Sequence, residues 1–430
     1  MKSTVALPRG VRDIEPDEYS YLEYIRSAFM ETCELFGFRV MEPATLEFLS
    51  TLEAKSGPAI ADEIYWFRDK GGRRIALRFD LTVGLTRYAC SKRELPLPIK
   101  LAALGDMWRY DEPQYGRYRW FHQWDVEIFG VPHIEADAEV ILFGQKLLER
   151  LGLADVELHV GDRKTVESFL RRDVGVSDES VILDMLRALD KLSRKPRSEV
   201  IGEYVQRGVR PEILERAFSF GELKGEPEAV CDELDRRGFD SSGLRRLWEL
   251  LKAGGARRVV YDLGLTRGID YYTGVVFEYI DPQDPGLGSL AGGGRYDILP
   301  QVFGRGDLGA TGAAGGIERT ILAMRRRAQP ARGDEPRRGV LVAYTTPELL
   351  GRAVELCYRI RDRGVRAEYD LLRRPLRRQM DIASRYHRWA IILGPREVSA
   401  GRAVLRDLLT GREEELPIDH LPTALSNYAK

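Results

Sequence analysis

Residues 104–130, LGDMWRYDEPQYGRYRWFHQWDVEIFG, constrain this chain more than any other stretch. Rough alternation of apolar and polar residues predicts a strand over 104–110. Asp111–Gly116, with its proline and glycine, predicts a loop, and 121–129 a second strand. Three arginines (Arg109, Arg117, Arg119) are crowded here with Trp108, Tyr110, Tyr118, Trp120, Phe121 and Trp124. The two-residue period of a strand puts Phe121, Gln123, Asp125 and Glu127 on one face. Arginine pairs bidentately with phosphate and Phe121 offers a flat face to a base, so the hairpin suits an anionic, planar-ringed ligand beside a small polar one. A surface hairpin with solvated charges fits the same composition.

The remaining chain narrows the choice. Its 430 residues exceed one ordinary domain, so two or three are expected. Basic and acidic residues nearly cancel at 66 and 67, which leaves a nucleic-acid partner open because local patches outweigh the sum. Cys33, Cys90, Cys231 and Cys357 form no CxxC pair, which argues against structural zinc and a disulfide framework. No apolar run reaches membrane-spanning length and MKSTVALPRG lacks a signal-peptide core, so the expectation is a cytoplasmic protein without a membrane partner.

In chain order, Leu22, Ile25, Phe29, Cys33 and Phe36 recur at helical spacing up to Gly37, and a strand, FRVMEP, follows. IYWFRD and RRIALRFD flank Gly71-Gly72, a hairpin signal. The second of these runs into Asp80-Leu81-Thr82 and a helix over 83–91. A carboxylate and a hydroxyl at that junction suit an ammonium ligand, or simply cap the helix. A helix over 134–151 and a strand over 156–160 come next, then about ninety residues of charged, helix-patterned sequence. RGIDYYTG (267–274) reads as a turn and a strand, and the glycines of LAGGGRYDIL (290–299) allow close backbone approach. GATGAAGGIERTILAM (309–324) is a strand of small residues leading into a helix near Ile317. Past a linker-like RRRAQPARGDEPRR, strands and helices alternate through 339–430, with a closing strand over 404–408.

Taken together these strings resemble the histidyl-tRNA synthetase family of class II aminoacyl-tRNA synthetases. GRYRWFHQWDVEIFG resembles its motif 2, the first helix and strand its motif 1, and 309–324 its motif 3. RGIDYYTG and AGGGRYD resemble its two histidine-specific signatures. The sequence carries RFDLT where many bacterial members have RPEGT, which keeps the charge.

The resemblance implies an α+β catalytic domain with an antiparallel sheet over 1–325, containing a helical insertion at about 165–255. It further implies a linker at 326–338 and an α/β anticodon-binding domain at 339–430. It implies histidine–tRNA ligation: activation of L-histidine with ATP and transfer to tRNA(His), by a homodimer built on motif 1. It places Arg109 and Arg267 on the α-phosphate as catalytic residues, and Asp111, Arg117, Phe121 and Arg319 around ATP. Asp80, Thr82, Gln123, Glu127, Arg267, Tyr271 and Tyr272 hold histidine. Mg2+ is expected on ATP, with no protein residues assigned to a metal. Arg366, Arg373, Arg374, Arg377 and Arg378 are a candidate tRNA-phosphate surface. The rival implied by the same strings is a histidine-sensing, synthetase-like regulatory subunit of ATP phosphoribosyltransferase. That class lacks the C-terminal domain and commonly loses the signature arginine, and this sequence has both.

Overall fold

Helix α1 (Pro16–Phe36) starts on a proline with Asp17 and Glu18 in its first turn, and Gly37 ends it at φ 69°. That left-handed position is open to glycine at no steric cost, and the stripe Leu22, Ile25, Phe29 and Cys33 is buried. This is a computed structural model, and it describes residues 6–192, 195–266, 271–329 and 338–428. Arg267, which carries two of the expectations above, lies outside the described residues, as does most of the expected linker. The chain divides into two units, residues 1–332 and 333–430.

In the first unit, β1 (Arg39–Val40) is far shorter than FRVMEP suggests. Arg78 donates to the Pro43 carbonyl at 2.7 Å and to Glu42 at 3.1 Å, drawing the chain off the sheet. β2 (Leu46–Phe48), β3 (Trp66–Arg68) and β4 (Arg74–Leu77) form a small sheet beside α2 (Leu49–Ser56). The expected hairpin is β3–β4, with Trp66 opposite Ala76. α3 (Thr82–Ser91) follows it directly.

β5 (Ile99–Trp108) and β6 (Trp120–Phe129) are the paired strands of the arginine-rich stretch. The first begins before Leu104 and ends before Tyr110, whose N–H turns to the Glu63 carbonyl. After α4 (Ile134–Arg150) and β7 (Glu157–Asp162), six helices occupy the region expected to hold the insertion: α5 (Arg163–Arg172), α6 (Glu179–Lys191), α7 (Arg197–Gln206), α8 (Pro211–Gly221), α9 (Pro227–Arg236) and α10 (Ser242–Ala253). Their core includes Phe169 stacked on Phe220 at 4.0 Å between ring centroids. The two-residue β8 (Lys224–Gly225) interrupts them. β9 (Val259–Asp262), β10 (Val275–Ile280), β11 (Ser289–Arg295), α11 (Ile298–Val302), β12 (Ala310–Gly316) and α12 (Ile317–Arg326) complete the unit.

The large sheet has the order β1-β5-β6-β12-β11-β10-β7-β9-β8, and its middle six strands are antiparallel throughout. One face is apolar: Trp124 is fully buried there against Phe29 and Phe143. Gly315 makes room for it, since a Cβ there would stand 2.4 Å from the indole.

The second unit is a sheet of order β14-β13-β15-β16-β17, made of β13 (Val340–Tyr344), β14 (Ala367–Tyr369), β15 (Trp389–Leu393), β16 (Arg402–Asp407) and β17 (Glu413–Pro417). Its first three strands are parallel, with α13 (Leu350–Arg361) and α14 (Leu376–Tyr386) in the crossovers. Val342, Leu356, Ile360 and Ile391 lie in its core. β17 has no counterpart among the expected strands: EEELP opens with three glutamates and ends in proline, yet it pairs at the sheet edge. Three members of the expected basic surface meet carboxylates of this unit, Arg366 with Glu368, Arg374 with Asp370 and Arg378 with Asp381.

Candidate active site

Cross-strand register decides what the second face of the large sheet can do. Residues directly opposite one another share a face. Asp125 therefore lines up with Ala314, Gly292, Glu278 and His159, and Glu127 with Gly312, Gly294 and Val276. β11 and β12 thus form a floor almost without side chains, walled on the β6 side by Gln123, Asp125 and Glu127. The closeness is extreme at Gly312, where a Cβ would lie 1.6 Å from the Glu127 carboxylate.

Over one end of this floor opens a cleft of about 400 Å³. Arg109, Asp111, Arg117, Phe121, Gln123 and Arg319 all line it, so residues up to 210 positions apart converge on one space. Arg109 donates from Nε to the Phe79 carbonyl at 2.9 Å, and its guanidinium stands 5.0 Å from the Phe121 ring centroid. Burial pulls its pKa down, opposed by Asp80 and Asp111. Arg117 pairs with Asp111 at 2.6 Å. Arg319, in the first turn of α12, donates to the Ser289 carbonyl at 3.0 Å. Arg119 does something different: it donates to the Asp111 carbonyl and lies 3.9 Å from the Tyr110 ring, bracing the loop.

Next to the cleft is a buried acidic and aromatic pocket. Asp80 accepts from the Val83 N–H at 3.1 Å, so it caps α3, and from Lys55 at 2.7 Å, so it also meets a cation. Thr82 donates to Asp125 at 3.0 Å, and Tyr296 donates to Glu127 at 2.5 Å. Burial pushes the Asp125 and Glu127 carboxyls up from their ordinary range, Asp125 well above it with the neighbouring Glu127 adding to the effect. Two carboxylates this close and this dry do not both ionise freely. The Tyr271 ring stacks on Tyr296 at 4.7 Å and meets Tyr272 at 4.9 Å. Among the described residues the buried Tyr271 hydroxyl has no hydrogen-bond partner, and burial raises its pKa, so it stays a neutral donor. An unmade buried hydrogen bond costs about 1–3 kcal/mol, which a polar ligand would relieve.

Sequence reading missed four of these participants. Lys55 is a lone lysine near the end of α2, and the strand period puts Asp125 on the right face but gives it no role. Tyr296 belongs to the AGGGRYD string, but its partner Glu127 is 169 residues away. The arginine of that string, Arg295, points elsewhere and pairs with buried Asp137 at 2.9 Å, fixing β11 to α4. The fourth is a clip: His122 sits between Asp106 at 3.0 Å and Glu318 at 2.9 Å.

Burial alone would lower the His122 pKa, but its hydrogen bonds to the two carboxylates outweigh that and push it up to about 9. A histidine pKa raised on folding stabilises fully below its unfolded value near 6.5, and the contribution is lost as pH rises through about 9. The size is on the order of 3 kcal/mol. Urea midpoints of the wild type are expected to fall between pH 6.5 and 9.5, and His122→Gln to remove most of that slope. An unchanged slope in the variant would mean that the clip is not charged.

A family model described as histidyl-tRNA synthetase matches residues 10–320, and one described as anticodon binding domain matches residues 339–428. The chain is 36% identical over 419 residues to a histidine–tRNA ligase of Thermococcus kodakarensis, covering 95% of each. It is 36% identical over 426 residues to one of Pyrococcus abyssi, covering 96% of this chain and 97% of the relative. In fold it is similar to the crystal structure of histidyl-tRNA synthetase from a Nostoc species, at a TM-score of 0.82 and 24% identity over 99% of this chain and all of the other.

Proposed function

The chain belongs to the histidyl-tRNA synthetase family, and from that premise we propose that it ligates histidine to tRNA(His) with ATP, using the cleft and pocket described above. Its fold is that of the class II synthetases, with a C-terminal anticodon-binding domain. The observation that carries the site assignment is the junction of an arginine-lined cleft with a buried acidic and aromatic pocket across one glycine floor.

The reaction needs no protein nucleophile. The histidine carboxylate, already ionised, attacks the α-phosphorus of ATP and pyrophosphate leaves; a ribose hydroxyl at the tRNA end then attacks the acyl carbon of the adenylate, forming the ester and releasing AMP and the hydroxyl proton. Catalysis is therefore positioning plus stabilisation of charge on phosphorus. Arg109 stands where cleft and pocket meet, the place for the α-phosphate, and family resemblance assigns Arg267 to the same phosphate and to the histidine carboxylate. Arg117 and Arg319 take the outer phosphates, Asp111 orients Arg117, and Phe121 stacks on adenine. Asp80, Thr82 and Gln123 receive the α-ammonium. Glu127 and Tyr271 meet the two imidazole nitrogens, both of which need partners once buried, and Tyr272 walls the pocket. Among the described residues, no three His, Cys, Asp or Glu side chains gather to hold a metal, and the Asp111 carboxylate in the cleft is paired with Arg117. We assign Mg2+ to the substrate, as MgATP, with phosphate oxygens and water as its main ligands.

Two further parts of the reading concern assembly. Leu46, Phe48 and Phe67 share one face of the small β2–β4–β3 sheet and leave an exposed apolar group there, which supports a homodimer contact near motif 1. The C-terminal unit is the tRNA anticodon reader, and the setting is the cytoplasm. Among the described residues, no helix is long and apolar enough to cross a membrane.

Histidine-dependent ATP–pyrophosphate exchange tests the reading, with other amino acids as controls. Exchange with histidine alone is expected; histidine binding without exchange would favour the regulatory-subunit reading. Glu127→Gln is expected to weaken histidine binding by about 1–3 kcal/mol, the range of a lost charged hydrogen bond, and to leave ATP binding little changed. Calorimetric titration of each ligand checks this, and unchanged histidine affinity would remove Glu127 from the pocket.

A further inference from the structure

Both carboxylate oxygens of Asp80, the residue assigned to the substrate ammonium, already have partners within the chain. Its Oδ1 accepts the Val83 N–H, and its Oδ2 accepts the Lys55 ammonium at 2.7 Å, in a pair where the lysine side chain is 13% and the aspartate 6% exposed. The same ammonium stands 4.0 Å from the centroid of the Tyr271 ring. A carboxylate oxygen and an aromatic face are the groups that recognise an alkylammonium. Lys55 thus sits, from within the chain, in the place prepared for a ligand of its own headgroup chemistry.

Two more observations fit this placement. Asp80, Asp125 and Glu127 bring three carboxyl groups into one buried space, and Lys55 lowers the pKa of both Asp125 and Glu127 against the effect of burial. Its ammonium therefore supplies the positive charge that this space lacks when empty. The lysine also comes from the last turn of α2, ahead of Gly57, on a flexible four-carbon stem. It can leave without unravelling a strand of the large sheet.

We propose that Lys55 is an internal stand-in for the α-ammonium of histidine: it occupies Asp80 in the empty pocket and is displaced by the substrate's own ammonium. This rests on the assignment of the pocket to histidine. Lys55 is then a positioning residue, and one ion pair replaces another, so the pocket is never left with Asp80 bare. It makes the site discriminate by requirement: a ligand without an ammonium cannot displace the lysine, whatever its ring.

Three ligands separate this role from the others, titrated calorimetrically into the full-length protein. Histidinol has the ammonium and ring without the carboxylate, 3-(imidazol-4-yl)propanoate has the carboxylate and ring without the ammonium, and histidine has all three. Lys55→Met is expected to bind histidinol roughly tenfold more tightly, the scale of one charged hydrogen bond no longer competed for. It is expected to leave the propanoate within about twofold. Lys55→Arg, whose bidentate fork grips a carboxylate harder, is expected to weaken histidinol and histidine several-fold, and it keeps the proposal testable if the methionine variant does not fold. If Lys55→Met weakens histidine and the propanoate while sparing histidinol, Lys55 is a carboxylate contact and the proposal is overturned. No change with any ligand in either variant would reduce the pair to a structural one and overturn it as well. Failure of the wild type to bind histidine or histidinol would instead strike the functional reading itself.

Discussion

Arg109→Ala is expected to lower the rate of histidyl-adenylate formation by roughly 10²–10³, the loss typical of removing one preorganised donor from a developing oxyanion. The expectation comes from how the side chain is held. Its Nε is fixed on the Phe79 carbonyl and its guanidinium carbon lies over the Phe121 ring, so the remaining N–H groups are positioned before any ligand arrives. Arg109→Lys is expected to recover little, because a point charge cannot keep the carbonyl bond and present a fork together. Single-turnover adenylation separates the possibilities. If only the KM for ATP rises and kcat survives, Arg109 binds ground state and transition state alike, and its catalytic role falls.

The second large effect concerns two glycines that look equivalent in the sequence. At Gly312 a methyl group would meet the Glu127 carboxylate at 1.6 Å, and next the Val126 carbonyl at 2.8 Å. A side chain can yield, so Gly312→Ala is expected to fold but to drive Glu127 off Tyr296, raising the KM for histidine by roughly tenfold or more. At Gly293 the obstacles are the Gly312 carbonyl at 2.0 Å and the Ala313 Cα at 2.8 Å, both backbone. Gly293→Ala must spread β11 from β12, and it is expected to lose at least ~3 kcal/mol of stability or to fail to fold. Thermal melts with histidine titrations check both. Similar melting losses with an intact KM in Gly312→Ala would mean that Glu127 does not depend on that gap.

Much of this arrangement was legible because it is local. The strand–loop–strand of residues 104–130, the face carrying Gln123, Asp125 and Glu127, and the convergence of Arg117, Phe121 and Arg319 follow from period, turn residues and family resemblance. What escaped depends on tertiary contact. Nothing in EAKSG marks Lys55 as the partner of Asp80, 25 residues on. Nor does FRVMEP show that Arg78 will pull it from the sheet after two residues. The capping alternative for Asp80 has a counterpart in the structure, since one of its oxygens accepts the Val83 N–H at the start of α3 while the other meets Lys55. His122 reads as one more strand residue until α12 folds back and sets Glu318 beside it.

That last contact has a mechanical meaning. Phe121 adjoins His122, and Arg319 adjoins Glu318, so the two residues assigned to grip the nucleotide are chain neighbours of the two members of the clip. Glu318 accepts both the His122 backbone N–H and its ring nitrogen. The jaws are thus set at fixed spacing by a rivet behind them, closer to a caliper locked at one width than to a hand that shapes itself to its load. The spacing between Phe121 and Arg319 is thus governed by a contact that neither of them makes, between the residues next to them in the chain.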